Sequence, residues 1–351
     1  MNPRPNVASA STRLNLYSLR YVEVLFGRSR LELRDLASHS IRFYRPFPLT
    51  AKARPFAQKG ELPKKRWIDN PVDPLKAIQS RIEERFLKRL ILPEHLLGGV
   101  RGKSIADNVK LHLQAKCLVT IDIKNFFPSI SPQQVLAVFR GTLNCSPEVS
   151  YLLTGLTTCR GRLPQGAPTS TLLANLVLGS LDHEIRSVCR LKGVVYSSWV
   201  DDLAFSGDSA TQVIGPVIAA LKEAGFSVSH RKIKVMGPGD RKVLNSLVLG
   251  RFITVKRQYR SSIRAGIHNL KCGRVPAPGI GAYVESLYGS INYLRLFEPS
   301  KAICFSEELS GVAEELTLKP DVAPAATLLQ RQAPTPRKVA KHETHQSREP
   351  E

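Results

Sequence analysis

Cysteines are few in this sequence, and their spacing matches no metal or disulfide motif. Its 351 residues include six cysteines and no Cys-x-x-Cys pair. This spacing predicts neither a zinc site nor a disulfide framework, so we interpret them as reduced thiols, mostly in the core. They are Cys117, Cys145, Cys159, Cys189, Cys272 and Cys304.

Long apolar runs are missing as well. No stretch approaches the roughly 18 consecutive apolar residues of a membrane-spanning helix. The N-terminal residues lack the apolar core of a signal peptide. We therefore expect a cytoplasmic protein with no membrane partner.

Acidic residues are also scarce relative to basic ones. The chain has 51 Lys and Arg against 29 Asp and Glu, a net charge of +22. Such an excess favours a polyanionic partner, because released counterions drive basic proteins onto nucleic acid. A basic face could instead meet an anionic membrane. The length allows a large core and two compact units.

Against this basic background, two adjacent aspartates stand out between two apolar runs. Asp201 and Asp202 follow Trp199-Val200 and precede Leu203-Ala204-Phe205, a pattern that predicts two strands with the acidic pair at their turn. Adjacent carboxylates repel each other unless a cation lies beside them. Aspartate is also a common turn residue, so a solvated turn is the simpler interpretation of the pair alone.

A third carboxylate favours a functional site. Asp122 lies in the apolar run 117–123, which predicts a strand buried on both faces. An aspartate in such a strand must be paired or ligated. If this strand lies beside the Asp201-Asp202 hairpin, three carboxylates converge, and hard oxygen ligands of this kind suit Mg²⁺.

Several weaker patterns surround these residues. Residues 51–70 are basic and resemble a β-hairpin with cationic arms. Helical patterns occur within 1–50, the second of them reaching Ile41, and from Pro74 to about Leu92. A Gly- and Pro-rich loop at 161–170 leads into a long predicted helix, from Thr171 to about Leu191.

The order of these motifs resembles the palm of reverse transcriptases, and more narrowly the retron and group II intron branch. Residues 122–130 are similar to the family's first catalytic motif, and 163–170 to its nucleotide-binding loop. Val200-Asp201-Asp202 stands where the family usually has Ala-Asp-Asp. The resemblance runs from about Leu31 to Ala302.

The resemblance implies an α+β right-hand polymerase fold with fingers, a palm of antiparallel sheet plus helices, and a short helical thumb. The implied domains are a helical cap at 1–50, fingers at 51–118, palm at 119–250 and thumb at 251–318. A disordered basic tail is predicted at 319–351, where the sequence is rich in Pro, Ala, Gln and Lys/Arg and lacks apolar periodicity.

It also implies roles for individual residues. Asp122, Asp201 and Asp202 would be catalytic and, with Ile123, would hold two Mg²⁺ ions, for which Mn²⁺ could substitute. Phe127 would be the steric gate that excludes a 2′-hydroxyl. The implied nucleotide-binding residues are Lys52, Arg66, Phe127, Gln165, Gly166 and Lys232.

The implied contacts with RNA and DNA come from two regions. Asn108 and His112 keep part of the retron motif Asn-Ala-x-x-His, although Val109 replaces its alanine, and Leu244-Asn245-Ser246 replaces the family's Val-Thr-Gly triplet. The thumb would follow the phosphate backbone of an A-form hybrid. The predicted nucleic-acid-binding residues are Asn108, His112, Arg251, Lys256, Arg257, Arg260, Arg264 and Lys271.

The predicted function is therefore RNA-directed DNA polymerisation by a retron reverse transcriptase. Its partners would be dNTPs and a structured noncoding RNA that serves as template and primer, together with the RNA/DNA hybrid. The implied product is RNA-linked branched DNA (msDNA), made in antiphage defence with an accessory effector protein. The alternatives are another bacterial defence or intron-type reverse transcriptase without a branched product, or a catalytically silent RNA-binding scaffold.

Overall fold

The computed structural model describes residues 14–50 and 65–317. It has two compact units, which divide between Lys256 and Arg257. Some predicted features lie outside the described residues: Lys52, most of the basic segment 51–70, and the predicted tail at 319–351. The domain boundaries drawn from the sequence stay predictions.

Two helices, α1 (Leu19–Phe26) and α2 (Arg30–Ser38), precede a two-stranded ribbon of β1 (Tyr44–Thr50) and β2 (Lys65–Pro71). The prediction of a β-hairpin within 51–70 was wrong in extent, because its first strand lies in the region assigned to the helical cap. The helix predicted to reach Ile41 ends as an α-helix at Ser38, and Ile41 lies in a short 3-10 turn, Ser40–Phe43. Pro46 and Pro48 lie in β1, where their missing N–H groups are tolerated in a short ribbon.

The centre of the first unit is an antiparallel sheet in the strand order β4-β5-β3-β6. Its strands are β3 (Leu118–Asp122), β4 (Val195–Trp199), β5 (Asp202–Ser206) and β6 (Lys234–Met236). Strand β3 pairs with β5 on one side and with β6 on the other. Its Leu118, Val119 and Ile121 are fully buried, as expected for an inner strand covered on both faces.

Helices surround this sheet and share one continuous apolar core with it. Helix α8 is the most buried, since every residue from Leu172 to Leu178 is inaccessible to solvent or nearly so. The helices of this unit after the ribbon are α3 (Leu75–Arg85), α4 (Ile105–Lys110), α5 (Phe126–Ser129), α6 (Pro132–Ala137), α7 (Pro147–Thr157), α8 (Ser170–Gly179), α9 (Asp182–Leu191) and α10 (Ile214–Glu223).

Two predicted helices are shorter in the structure. The helix from Pro74 ends at Arg85 instead of near Leu92. The long helix from Thr171 to Leu191 is divided between Gly179 and Asp182. The division follows from the residues there, because glycine is a poor helix former and the Ser180 hydroxyl bonds to the carbonyl of Val177 at 2.6 Å.

A small three-stranded antiparallel sheet ends the first unit. Its strands are β7 (Lys242–Leu244), β8 (Leu247–Leu249) and β9 (Ile253–Val255). The turn between β7 and β8 has only two residues, Asn245 and Ser246, with φ angles of 46° and 70°. Left-handed conformations at both positions are those of the tight hairpin turn that matches strand twist, and asparagine tolerates them well.

The second unit is helical over its described residues. Its helices are α11 (Arg257–Lys271), α12 (Ile280–Arg295) and α13 (Pro299–Thr317). Each helix contributes fully buried residues to the packing of this unit: Ile267 on α11, Val284 and Leu294 on α12, and Leu309 on α13. This confirms the helical character predicted for the thumb. Across the described part of both units, no helix has the length and apolar content needed to cross a membrane.

Candidate active site

Three carboxylates meet at one end of the central sheet. Asp122 ends strand β3 and is the cross-strand partner of Asp202, which begins strand β5. Asp201 directly precedes Asp202, and its carbonyl accepts a hydrogen bond from the N–H of Ile123 at 3.0 Å. The expectation that the Asp122 strand lies beside the Asp201-Asp202 hairpin is therefore confirmed.

The electrostatics of this cluster are unfavourable without a counter-charge. Burial raises the pKa of Asp202 to about 6, and the charges of Asp201 and Asp122 add to the rise. Burial also raises the pKa of Asp201. The ammonium of Lys232 lies 2.6 Å from Asp122 Oδ1, although more than half of the lysine side chain is exposed.

The turn that carries Asp201 is held by a neighbouring segment. Val200 has a φ of 60°, which is rare for a β-branched residue and indicates local strain. A Cβ atom at Gly98 would lie 2.4 Å from the Val200 nitrogen, so only glycine allows this approach. The N–H of Leu97 donates to the carbonyl of Ser198 at 3.0 Å, and the N–H of Ser198 donates to the carbonyl of His95 at 2.7 Å.

The donor set fits a divalent cation in its chemistry. Carboxylate oxygens are the ligands that Mg²⁺ and Mn²⁺ prefer, and a cation would relieve the repulsion that the buried cluster contains. Among the residues that the structure describes, however, no three His, Cys, Asp or Glu side chains are already grouped as a metal site. The metal-ligand roles of Asp122, Ile123, Asp201 and Asp202 stay predictions.

The predicted nucleotide-binding loop packs on strand β2. The N–H of Asp69 donates to the carbonyl of Gln165 at 2.8 Å. Gly166 has a φ of 118°, and a Cβ atom there would lie 2.5 Å from Ile68 Cγ2. Arg66, on the same strand, is exposed, and its positive charge counteracts the raised pKa of Asp201. Gln165 and Gly166 thus pack against the strand that carries Arg66.

Phe127, the proposed steric gate, is half-buried and packs against Phe126, with ring centroids 5.8 Å apart. Helix α5, which carries both rings, follows the Asp122 strand after three residues. Phe127 therefore follows Asp122 by five residues in the chain. Its role at the sugar stays a prediction.

Two predicted nucleic-acid contacts lie inside the protein. Asn108 and His112 are fully buried and bond to other side chains, so neither can touch RNA or DNA in this arrangement. The sequence analysis assigned them to RNA and DNA contacts because they match two positions of the retron motif Asn-Ala-x-x-His. It also missed their partners Ser197 and Ser206, whose only sequence signal is a hydroxyl in an otherwise apolar strand.

The remaining predicted contacts are basic residues near the end of the first unit and on helix α11. Arg251 lies over the ring of Phe252, with 5.6 Å from its guanidinium carbon to the ring centroid. In the second unit Arg260 pairs with the buried Glu298 at 2.7 Å, and Lys271 pairs with Glu308 at 2.9 Å. These pairings neutralise part of the positive charge that was predicted to contact a phosphate backbone.

Comparison with known proteins identifies the class. The model of the family "Reverse transcriptase (RNA-dependent DNA polymerase)" matches residues 57–259, more than half of the chain. The chain belongs to this family, and the predicted right-hand polymerase fold is confirmed. The strands that carry Asp122 and Asp202, the turn with Asp201 and the loop at 163–170 all lie within the matched region.

The retron type is confirmed by individual relatives. The chain is 30% identical to the retron Ec86 reverse transcriptase of Escherichia coli, over 62% of this chain and 69% of that protein. It is 29% identical to the retron Se72 enzyme of Salmonella heidelberg, over 62% of this chain and 57% of that one. Its match to the retron Ec83 enzyme of Escherichia coli, at 26% identity, covers 81% of this chain and 96% of that protein. The chain is thus a retron-type reverse transcriptase that spans a little over half of some relatives and nearly all of another.

Proposed function

We propose that this protein extends a primer with deoxynucleotides on an RNA template, at the end of the sheet where Asp122, Asp201 and Asp202 meet. The observation that carries the proposal is the cross-strand pairing of Asp122 with Asp202 beside Asp201. Three carboxylates that are partly buried and mutually repelling are costly unless they bind cations. Two bound Mg²⁺ or Mn²⁺ ions would supply charge stabilisation for an in-line attack on the α-phosphorus.

The chain's own residues would then position the nucleotide. Arg66, on the strand that packs against Gln165 and Gly166, would neutralise the triphosphate, with Lys52 as a second cation. Lys232, already within reach of the cluster, would donate a proton to the leaving pyrophosphate. Phe127 would lie under the sugar and leave no room for a 2′-hydroxyl.

The nucleic acid would be held by two further regions. Residues 241–250, which include the β7–β8 hairpin, resemble the primer-grip region of the family, and the hairpin would support the primer strand. The basic residues of the second unit would follow the phosphates of the RNA/DNA hybrid, which is recognised by shape and charge. Arg260 and Lys271 are paired with glutamates, whereas Arg257 and Arg264 have no carboxylate partner within the described residues, so we expect the last two to contribute more.

The biological product would be RNA-linked branched DNA, made in the cytoplasm from one cognate structured RNA and used in antiphage defence with an effector protein. The support for this finer proposal is the similarity to several retron reverse transcriptases.

The test is to express the chain with its native flanking DNA, purify it and analyse any bound nucleic acid beside an Asp201→Asn control. DNA that is present only with the wild-type protein, and that is released from RNA by a debranching enzyme, would support the proposal. Unbranched DNA would indicate a different defence or intron-type polymerase. RNA alone in both samples would indicate a scaffold without catalysis.

A further inference from the structure

A continuous chain of side-chain hydrogen bonds runs through the interior of the first unit. Ser206 Oγ lies 2.7 Å from Nδ1 of His112, whose Nε2 lies 2.7 Å from Ser197 Oγ. The Ser197 hydroxyl donates to Asn108 Oδ1 at 2.6 Å. Asn108 Nδ2 then donates to Oδ1 of Asn245 at 2.6 Å. All but Asn245 are buried, with at most 2% of the residue exposed.

The partners fix the direction of every bond. The single hydrogen of the Ser197 hydroxyl goes to Asn108, so the Ser197 oxygen must accept from His112, and Nε2 of the ring carries a hydrogen. Burial lowers the pKa of His112 to about 4, so the ring is neutral and Nδ1 accepts from Ser206. All four bonds therefore donate in one direction, towards Asn245, and bonds aligned in this way strengthen one another.

This chain of bonds joins the β4–β5 hairpin to the β7–β8 hairpin, and the two hairpins lie in separate sheets. Ser197 and Ser206 lie on β4 and β5, the two strands that flank Asp201 and Asp202. Asn245 lies in the turn between β7 and β8, which belong to a separate sheet. Asn108, on the short helix α4, bridges the two. In the described residues, its bond to Asn245 is the side-chain link from the catalytic hairpin to the tip of the β7–β8 hairpin.

We propose that Asn108 and Asn245 are positioning residues that hold the β7–β8 hairpin in a fixed place relative to the catalytic aspartates, and thereby align the 3′ end of the primer. The proposal rests on the proposed function, in which that hairpin supports the primer. The two asparagines act through the hairpin and not by touching the nucleic acid. In-line attack needs the reacting atoms about 3–3.5 Å apart, and a misplacement of about 1 Å can cost roughly a hundredfold in rate.

The turn offers a matched pair of variants at one position. Asn245→Gly removes the acceptor for Asn108 but keeps the left-handed turn, since glycine adopts positive φ without strain. Asn245→Asp keeps both an acceptor and a residue that tolerates the turn.

A control for the general loss of a bonded amide is Asn144→Gly. Asn144 also has a positive φ, of 55°, and its Nδ2 donates to Asn15 Oδ1 at 2.7 Å, away from both hairpins in sequence. A variant that only weakens the fold should resemble this control.

The measurements use the full-length protein, an RNA template and a DNA primer. Steady-state extension gives separate KM values for the primer–template and for the dNTP. Fluorescence anisotropy gives the affinity for the labelled hybrid without nucleotide, and thermal melting reports on stability. We expect Asn245→Gly to raise the primer–template KM and weaken hybrid binding about tenfold, because the Asn108 amide loses its partner. The dNTP KM should change less than about twofold, and Asn245→Asp should restore most of the loss.

The outcomes separate this proposal from the proposed function. If Asn245→Gly matches Asn144→Gly in every parameter, or if Asn245→Asp restores nothing, the positioning role is wrong while polymerase activity stands. If the wild-type protein extends no primer, the proposed function is wrong. Hybrid binding would in that case still decide the positioning role, since it is measured without catalysis.

Discussion

The two ends of the β4–β5 hairpin are both polar, but they differ in how their polar groups are paired. At the turn, Asp201 and Asp202 face Asp122, and burial raises the pKa of the first two because their charges lack sufficient partners. Further from the turn, Ser197 in the middle of β4 and Ser206 at the end of β5 bond to a neutral His112 in the chain of four hydrogen bonds.

The difference separates a ligand site from a structural element. Satisfied buried hydrogen bonds each contribute about 1 kcal/mol and specify one arrangement of the core. Crowded carboxylates reduce stability until a ligand compensates them, so we expect a cation to bind at this end. The same hairpin therefore has a rigid end and a reactive end, and along β5 four residues separate Asp202 from Ser206.

The largest effect is expected at the reactive end. Asp201→Asn should slow primer extension by at least about a thousandfold, because charge stabilisation of several kcal/mol is lost. In EDTA the variant should melt no lower than the wild type, because a repelling charge has been removed. Primer extension in Mg²⁺ and melting in EDTA check this. A clear drop in melting temperature would mean that Asp201 stabilises the fold, which would remove the contrast between the two ends.

The reactive end could be predicted from the sequence, but the rigid end could not. Asp122 and the Asp201-Asp202 pair stand out because they interrupt apolar runs, and the period of a strand indicates where they point. The pairing of Asp122 with Asp202 required the structure, because register depends on the whole sheet.

The burial of Asn108 depends on Ser197, 89 residues away in the chain. No local pattern reports such a distant partner, so a buried asparagine looks the same in the sequence as an exposed one. The break between helices α8 and α9 at Ser180 has a different, local cause, which the apolar periodicity on both sides of it conceals.

The next largest effect is a pH dependence at the rigid end. The pKa of His112 is about 4 in the folded protein and about 6.5 in the unfolded chain. Between these pH values the unfolded chain binds a proton on this ring and the folded chain does not. This contribution is fully present above pH 6.5 and is lost as the pH falls towards 4. Relative to His112→Gln, the wild-type free energy of unfolding should fall by roughly 2 kcal/mol between pH 7 and pH 5. Urea unfolding of both proteins at both pH values measures this difference. If the free energy of unfolding fell equally in the wild type and in His112→Gln, the ring would not be buried as a neutral group.

A smaller effect tests how firmly the catalytic turn is fixed. Gly98→Ala would bring a methyl group against the Val200 backbone and displace Asp201, so we expect kcat to fall roughly tenfold to a hundredfold. Gly311→Ala, in the interior of helix α13, is the matched control, because a Cβ atom there meets nothing within 4 Å. The control should keep full activity and gain about 0.5–1 kcal/mol in stability. Equal activity of the two variants would show that the turn adapts to its neighbour.

The smallest effect concerns the cation that already lies at the reactive end. Lys232 is more than half exposed, so its ion pair with Asp122 should contribute at most about 1 kcal/mol, and Lys232→Ala should barely change the melting temperature. The ammonium nevertheless bonds to an oxygen that a metal would need, so a cation must displace it. Removing a pair of that strength should tighten Mn²⁺ binding, measured by electron paramagnetic resonance without nucleotide, by up to about fivefold. Lys222→Ala, on helix α10, should leave Mn²⁺ affinity nearly unchanged. If Lys232→Ala weakened Mn²⁺ binding instead, the lysine would support the metal site and not compete with it, and the crowding of the carboxylates would have a different cause.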